Sequence, residues 1–479
     1  MCCHACSKQR KKEHPMKKIH TLAIALLGFL AAEAQQELGL PFLTHLAQVP
    51  VQVNPATITD NRINILLPNA FGGYQNSAFS IGSLFVKTPN GRSLDFESAL
   101  GTMRPAGNVL RTSASINGGA LSFQVKKKFQ FSFFQNTHFD LQMSYPKALP
   151  ELLWRGNGAF VGQEVEIAPK LNMLGYNEYG FGFAARLHEK FSGGINVKYL
   201  NGIFGFRTLA AQTTLLTNEE YYQLTFRSDL LFRTGGLTDI FAGDGSDFLA
   251  ESSPAYFIKN NNNGFAVDIG MNIQATPKLA IHLAMQDVGK IYWTQYALEQ
   301  KSTGTFQYDG QIVRPFADGQ GDFDLAAVRD TLGSIFDFKS KAKPFYIDLP
   351  QRFSLVTRYQ LDEGLAFGAS FHHEYWQGVS SMAIAAHAQK QVGRWLYAGG
   401  MLGWHNNASP FLGLNAALQL GPVQLFALTD NVITLLNPEL GRGTNFRAGM
   451  NLVFLKKKRV KKEVAVPEPS ENIYFREGF

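Results

Sequence analysis

The chain is short of cysteine, of charge and of long apolar runs, and each shortage excludes something. Its three cysteines, Cys2, Cys3 and Cys6, all lie in the first six residues. Everything downstream is therefore free of disulfides and of any lipid-anchored cysteine. Cys3 and Cys6 have the spacing of half a zinc site, but no second ligand pair lies near them, so no metal is expected there. Charged residues make up 17% of the 479 positions and hydrophobic ones 45%, which excludes global disorder. After the N-terminus no run of about 18 apolar residues occurs, which excludes a bundle of membrane-spanning helices. His-Glu-x-x-His, Gly-x-Ser-x-Gly and the P-loop are all missing, so no catalytic residue, cofactor or metal is expected, and the chain does not read as an enzyme.

Positive charge is concentrated at the two ends. Residues 1–34 hold six Lys/Arg against two Glu, and Lys456–Lys462 holds six more positives. Without these the body is close to neutral. A nucleic-acid partner would need Lys/Arg spread with aromatics over a folded face, and none is expected. Met16 opens an orthodox secretory signal: Lys17 and Lys18, an apolar stretch from Leu22 to Leu30, then Ala32-Glu33-Ala34 before Gln35. Residues 1–15 therefore read as an over-called start, and Met16–Ala34 as the signal peptide.

What the chain has in quantity is Gly (45), Phe (39) and strict alternation. In Thr444–Leu455, Phe446, Ala448, Met450, Leu452 and Phe454 fall on one face, and Asn445, Arg447, Gly449, Asn451 and Val453 on the other. Leu279–Gln286, Phe353–Leu361, Leu365–His372 and Leu412–Leu420 repeat this strand period. The segments run about 9 to 12 residues, the length a tilted membrane-crossing strand needs; globular strands average about 5 or 6. Apolar on one side and polar on the other suits a transmembrane barrel, greasy face to lipid and polar face to lumen.

Connection lengths support the barrel. With the C-terminus taken as periplasmic, the inside turns fall at 188–191, 276–278, 362–364, 391–395 and 421–422, all short. The outside connections include 146–177, 233–263 and 289–351, all long. Short turns on one side and long loops on the other is the asymmetry of outer-membrane barrels. The tally from Ala78 to Leu455 is 16 strands, or 14 if 207–216 and 221–232 form an external hairpin. Tyr145, Trp293, Trp376, Trp395, Tyr397 and Trp404, near strand ends, suit interfacial girdles or core packing. Residues 35–75 are long enough to fold into the lumen as an N-terminal plug, 76–455 form the barrel, and 456–479 form a basic, disordered periplasmic tail.

Chemistry is thinly signalled. His372 and His373 are adjacent on a strand and point to opposite faces, so they cannot share a metal. His282 and His372 read as polar lining residues. Asp239, Asp244 and Asp247, and separately Asp318, Asp322 and Asp324, are oxygen-rich but lack calcium-loop spacing and read as solvated turns. Asp287 and Asp430 each follow an upward strand and are expected to cap loop N–H groups. The binding residues are left unknown.

Several short motifs recur in a telling order: Asn54-Pro55-Ala56, Asn177-Glu178-Tyr179-Gly180-Phe181-Gly182, Lys198-Tyr199-Leu200-Asn201-Gly202, Gln286-Asp287-Val288-Gly289-Lys290-Ile291-Tyr292-Trp293, and Thr429-Asp430-Asn431 through Asn445-Phe446-Arg447-Ala448-Gly449. Together they resemble a family of Bacteroidota outer-membrane proteins of unknown function, distantly similar to FadL-type channels for hydrophobic compounds and to the PorV component of type IX secretion. The resemblance implies an all-β transmembrane barrel of about 14 strands with an N-terminal plug, which lowers the tally of 16. It implies a bacterial outer-membrane location and contact with lipid. It leaves two functions open: binding or passing small hydrophobic ligands, or a non-transporting scaffold joined to periplasmic or secretion-machine proteins through the Lys-rich tail. No binding residue carries over from it.

Overall fold

The computed structural model describes residues 37–43, 46–47, 49–88, 91–220, 222–239, 248–308, 336–393, 395–405 and 410–454. The expected signal peptide, the basic tail and the Asp318, Asp322 and Asp324 loop lie outside these residues, as do Asp244 and Asp247.

Fourteen antiparallel strands close into a barrel. In chain order they are β1, in two runs Ile63–Leu66 and Asn69–Asn76, β2 (Asn108–Val125), β3 (Phe129–Tyr145), β4 (Lys170–His188), β5 (Phe191–Thr217), β6 (Asn263–Gln274), β7 (Leu279–Trp293), β8 (Gln351–Gln360), β9 (Leu365–Trp376), β10 (Val379–Val392), β11 (Leu396–His405), β12 (Phe411–Leu420), β13 (Val423–Thr429) and β14 (Gly443–Phe454). Closure comes from β1, which pairs with both β2 and β14. Residues 63–76 thus belong to the wall. The expected boundary between plug and barrel at residue 75 falls inside β1.

The last strand shows why the sequence chooses this form. Phe446, Met450 and Phe454 are exposed, whereas Asn445 and Asn451 are fully buried and Arg447 nearly so. Greasy side chains point out and amides point in, the reverse of a soluble sandwich. No described helix is long and apolar enough to cross a membrane; the strands do the crossing.

The external hairpin foreseen at 207–216 and 221–232 is present, and it settles the count. β5 is 27 residues long. Its first part pairs with β6 (Phe191–Asn201 against Ile273–Asn263). Its last part, Gly205–Thr217, pairs with Leu224–Gly235. Leu224–Gly235 in turn pairs with Ala297–Tyr308, which pairs with Lys339–Ala342. These pieces extend the sheet outside the barrel wall and add no crossing. The short turns stay on the opposite side, as the connection lengths required.

Only part of the expected aromatic girdle faces outward. Trp395 and Trp404 are about half exposed, but Trp293, Trp376 and Tyr145 are buried. Trp293 has the inward parity of β7. It packs with Leu174, Tyr176, Leu200, Ile291 and Ile347, stacks on Phe345 at 6.3 Å and sits against glycines of two strands. A Cβ on Gly235 would lie 2.4 Å from the Trp293 ring. Gly235→Ala should therefore lower unfolding stability by about 1–3 kcal/mol through overpacking, read as a reduced urea midpoint in detergent; an unchanged midpoint would refute this packing.

Candidate functional site

The described residues between 37 and 59 lie inside the barrel. They touch inward side chains of strands on opposite sides of the wall, which only a lumenal segment can reach. Leu38 and Gly39 donate their N–H groups to Asp430 at 2.9 and 3.2 Å. The Phe42 ring stacks on His387 of β10 at 4.8 Å. Asn54 donates to Asn272 of β6 at 2.9 Å and to the Leu283 carbonyl of β7 at 3.1 Å. Thr59 N–H donates to Gln130 of β3 at 2.8 Å. The Asn54-Pro55-Ala56 motif is a tight turn, with the Asn54 Oδ1 accepting from Ala56 N–H at 2.9 Å. It presses on Gly194 of β5, where a Cβ would come 2.2 Å from the Pro55 carbonyl.

The segment covers an apolar strip of the inner wall. Leu40, Leu43, Leu46 and Val53 pack on Ala417, Phe426 and Leu428; Leu38 packs on Ala383, Ala385, Met401 and Phe411; Phe42 packs on Val356 and Ala366. That strip belongs to β8–β13. On the other side of the lumen Ala47 and Val51 meet Leu66, Ala120, Phe134 and Val453. There the wall ladder is weakened: Leu67 and Pro68 interrupt β1, and β2 carries a bulge between Asn117 and Gly119.

Beyond the covered strip the lumen is strongly charged. Lys198 of β5 points its ammonium at three carboxylates, with Asp287 at 2.7 Å, Asp268 at 2.9 Å and Glu178 at 3.2 Å. All four side chains are at most 3% exposed. Arg352 of β8 donates Nε–H to the other Asp287 oxygen at 2.9 Å. Asn196 donates to Asp268 at 3.0 Å, and Asn136 to Glu178 at 2.8 Å. Asp287 has a left-handed φ of 60° where the β6–β7 register slips, and its N–H donates to Asp268 at 2.8 Å. This strained bulge turns the carboxylate between two cations.

Two further ion pairs frame a cavity. Arg111 of β2 pairs with Glu374 of β9. Arg447 of β14 pairs with Glu37 and donates to Asn69 at 2.7 Å. The cavity between them has a volume of about 80 Å³ and is lined by Arg111, Asp140, Tyr176, Lys198, Arg352 and Glu374 among others. At about 10–15 Å³ per water centre that is room for several waters.

The sequence motifs converge here. Glu178, Lys198, Asp287, Asp430 and Arg447 come from four of them, scattered along the chain. Two expectations are revised. Asp287 lies within β7 and neutralises side chains rather than capping a loop. Asp430 does cap backbone N–H groups, but those of Leu38 and Gly39, 392 and 391 residues away. The space beside the N-terminal segment is polar. His282 is hydrogen-bonded to Asn272 at 2.8 Å. His372 is buried while His373 bonds Ser380 on the other face. Asp239 accepts from Gln300. Arg111, Asp268, Arg352 and Glu374 were not singled out from sequence. Charged residues at inward parity on long strands are the signal that marks them. Among the described residues no three His, Cys, Asp or Glu side chains are placed to hold a metal.

Solved structures similar to this chain include the toluene transporter TbuX of Ralstonia pickettii, with 9% identity, 86% of this chain and 94% of that one covered, and a TM-score of 0.41. The toluene transporter TodX of Pseudomonas putida gives 8%, 86%, 94% and 0.39, and a FadL homologue of Pseudomonas aeruginosa 11%, 85%, 94% and 0.39. A search of curated proteins gave no match. A family model described as a family of unknown function, DUF5723, matches residues 55–430, which take in most of the wall and most of the lumenal charges, and the chain belongs to that family.

Proposed function

We propose that the protein is a bacterial outer-membrane barrel, closed at rest by residues 37–59 acting as a plug, that passes small hydrophobic compounds when the plug shifts. The carrying observation is the apolar strip on β8–β13. In a lumen lined elsewhere largely by amides and ion pairs, Ala383, Met401, Phe411, Phe426 and Leu428 form a surface that water wets poorly, and the plug's leucines cover it. A shifted plug offers that strip to an apolar solute. The weakened ladder at Leu67–Pro68 and Asn117–Gly119, next to Ala47 and Val51, is where such a solute can leave sideways into lipid.

Outer-membrane vesicles test this, because their lipopolysaccharide leaflet resists apolar solutes. Vesicles carrying the protein should take up N-phenyl-1-naphthylamine faster than vesicles without it, and glucose at the same rate as vesicles without it. Equal uptake of the naphthylamine with and without protein would overturn the reading.

A further inference from the structure

The short turn between β2 and β3 is unlike the others on its side. Lys128 N–H donates to the Val125 carbonyl at 3.1 Å, and Lys126 and Lys127 have φ of 50° and 56°. This is a hairpin turn with both central residues left-handed, the two places that Asn and Gly fill without strain. Lysine gains nothing there for the backbone. All three lysines are exposed, and among the described residues none forms an ion pair. Of the other short turns on this side, Glu189-Lys190 is balanced, Asp362-Glu363 negative and Gly421-Pro422 neutral, while Pro277-Lys278 and Gly393-Arg394 carry one positive charge each; only this turn carries three.

The outer face directly above this turn is aromatic. Phe123 of β2, Phe129, Phe131 and Phe133 of β3, and Phe181 and Phe183 of β4 form a continuous cluster with ring centroids 5.1–6.0 Å apart in the pairs Phe133–Phe181, Phe131–Phe183, Phe123–Phe131 and Phe129–Phe183. The Lys128 ammonium lies 5.6 Å from the Phe129 ring centroid. The exposed Arg186 is tied to the turn by its N–H, which donates to the Lys128 carbonyl at 2.8 Å. Aromatic rings on the lipid side joined to four cations at the rim is the pattern of a membrane interface that meets anionic headgroups.

We propose that Lys126, Lys127 and Lys128, with Arg186, dock the headgroup phosphates of anionic phospholipids in the periplasmic leaflet. This rests on the reading of the outer face as lipid-facing in an outer membrane. The charge of the strained lysine turn holds lipid at the base of β2–β4, beside the weakened ladder.

The test uses the purified full chain in detergent, titrated with phosphatidylglycerol or phosphatidylcholine and followed by native mass spectrometry. Wild type should retain phosphatidylglycerol preferentially. The double substitution Lys126→Asn, Lys127→Gly supplies the residues the turn geometry favours, so its urea midpoint should hold or rise. Its lipid preference should fall about fivefold per lysine removed, ~25-fold in all. Lys126→Arg with Lys127→Arg should keep the preference. Equal retention of both lipids by wild type, or an undiminished preference in the Asn-Gly variant, would overturn the proposal. So would loss, in that variant, of wild-type binding to polyglutamate without any lipid preference, which would assign the turn to an acidic protein partner. A chain that stays monodisperse without detergent would instead bring down the membrane reading itself.

Discussion

Replacing Lys198 by Met should destabilise the barrel by about 3–5 kcal/mol, the usual penalty for stripping one partner from a buried ion pair. Lys198 is the sole Lys or Arg touching Asp268 and Glu178 among the described residues, Glu178 also facing His138 Nε2 at 3.7 Å, and it shares Asp287 with Arg352. Loss of Lys198 leaves two buried carboxylates held by amides, a backbone N–H and the His138 ring, with no Lys or Arg beside them. Coulomb repulsion among Asp268, Asp287 and Glu178 then acts in a medium that screens it poorly. The variant should show a lowered urea midpoint and a weakened heat-modifiable band on gels. Adding Asp268→Asn to Lys198→Met should restore part of the loss, because it removes one of the uncompensated charges. The two substitutions are coupled through contact and must not add. By contrast, Arg155 pairs with Glu97 and Glu151 in the open outside the wall. Exposed pairs of that kind contribute little, so Arg155→Ala should leave the midpoint where it was. A Lys198→Met barrel as stable as wild type would mean that the lumenal network is not a closed ionic system.

The same network explains what the sequence revealed and what it hid. Alternation in Thr444–Leu455 and turn lengths along the whole wall were legible because both follow from local rules: a two-residue period, and a side of the membrane where loops must be short. The 14-strand count needed more. Residues 207–216 carry a strand pattern as good as any crossing strand; only their pairing with Leu224–Gly235, beyond the end of β6, places them outside. The girdle failed at Trp293 and Trp376 for a visible reason. Tyr292 is exposed and Trp293 buried, as are Tyr375 and Trp376 in the same order, so parity, not position near a strand end, decides which ring meets lipid. The site itself was half legible. Glu178, Lys198, Asp287, Asp430 and Arg447 lie in recognisable motifs. Their partners Asp268 and Arg352, and the separate Arg111–Glu374 pair, stand alone in ordinary strands, and nothing local says that a closed sheet brings them together. Asp430 is the sharpest case. An acid after a strand is expected to cap its own loop; that it holds a segment nearly four hundred residues earlier follows only from closure of the barrel around the chain's beginning.

Asp430→Ala should loosen the front of the plug. The carboxylate accepts from Leu38 and Gly39 N–H and from Asn445 at 2.7 Å. Hydrogen bonds to a charged group contribute about 1.5–3 kcal/mol each, and the alanine leaves the two backbone donors unpaired. Against this stand the buried side chains of Leu38, Leu40, Phe42, Leu43 and Leu46, each stabilising by about 1.5–3 kcal/mol. Those outweigh one carboxylate, so the substitution cannot expel the whole segment. It can free the first residues, where Leu38 alone covers Ala383, Ala385, Met401 and Phe411. Removing about 2–3 kcal/mol from that end raises its open population some 30- to 150-fold. Naphthylamine uptake should therefore rise in Asp430→Ala, and added protease should reach residues 37–43 sooner, while glucose stays excluded because Val53 and Asn54 remain anchored on β6, β7 and the strip. Asp430→Asn, which keeps an acceptor, should fall between the two. If Arg447→Ala, which frees Glu37 at the same end, and Asp430→Ala both leave uptake and proteolysis unchanged, the segment is a fixed part of the wall packing and the strip beneath it is never offered to a solute.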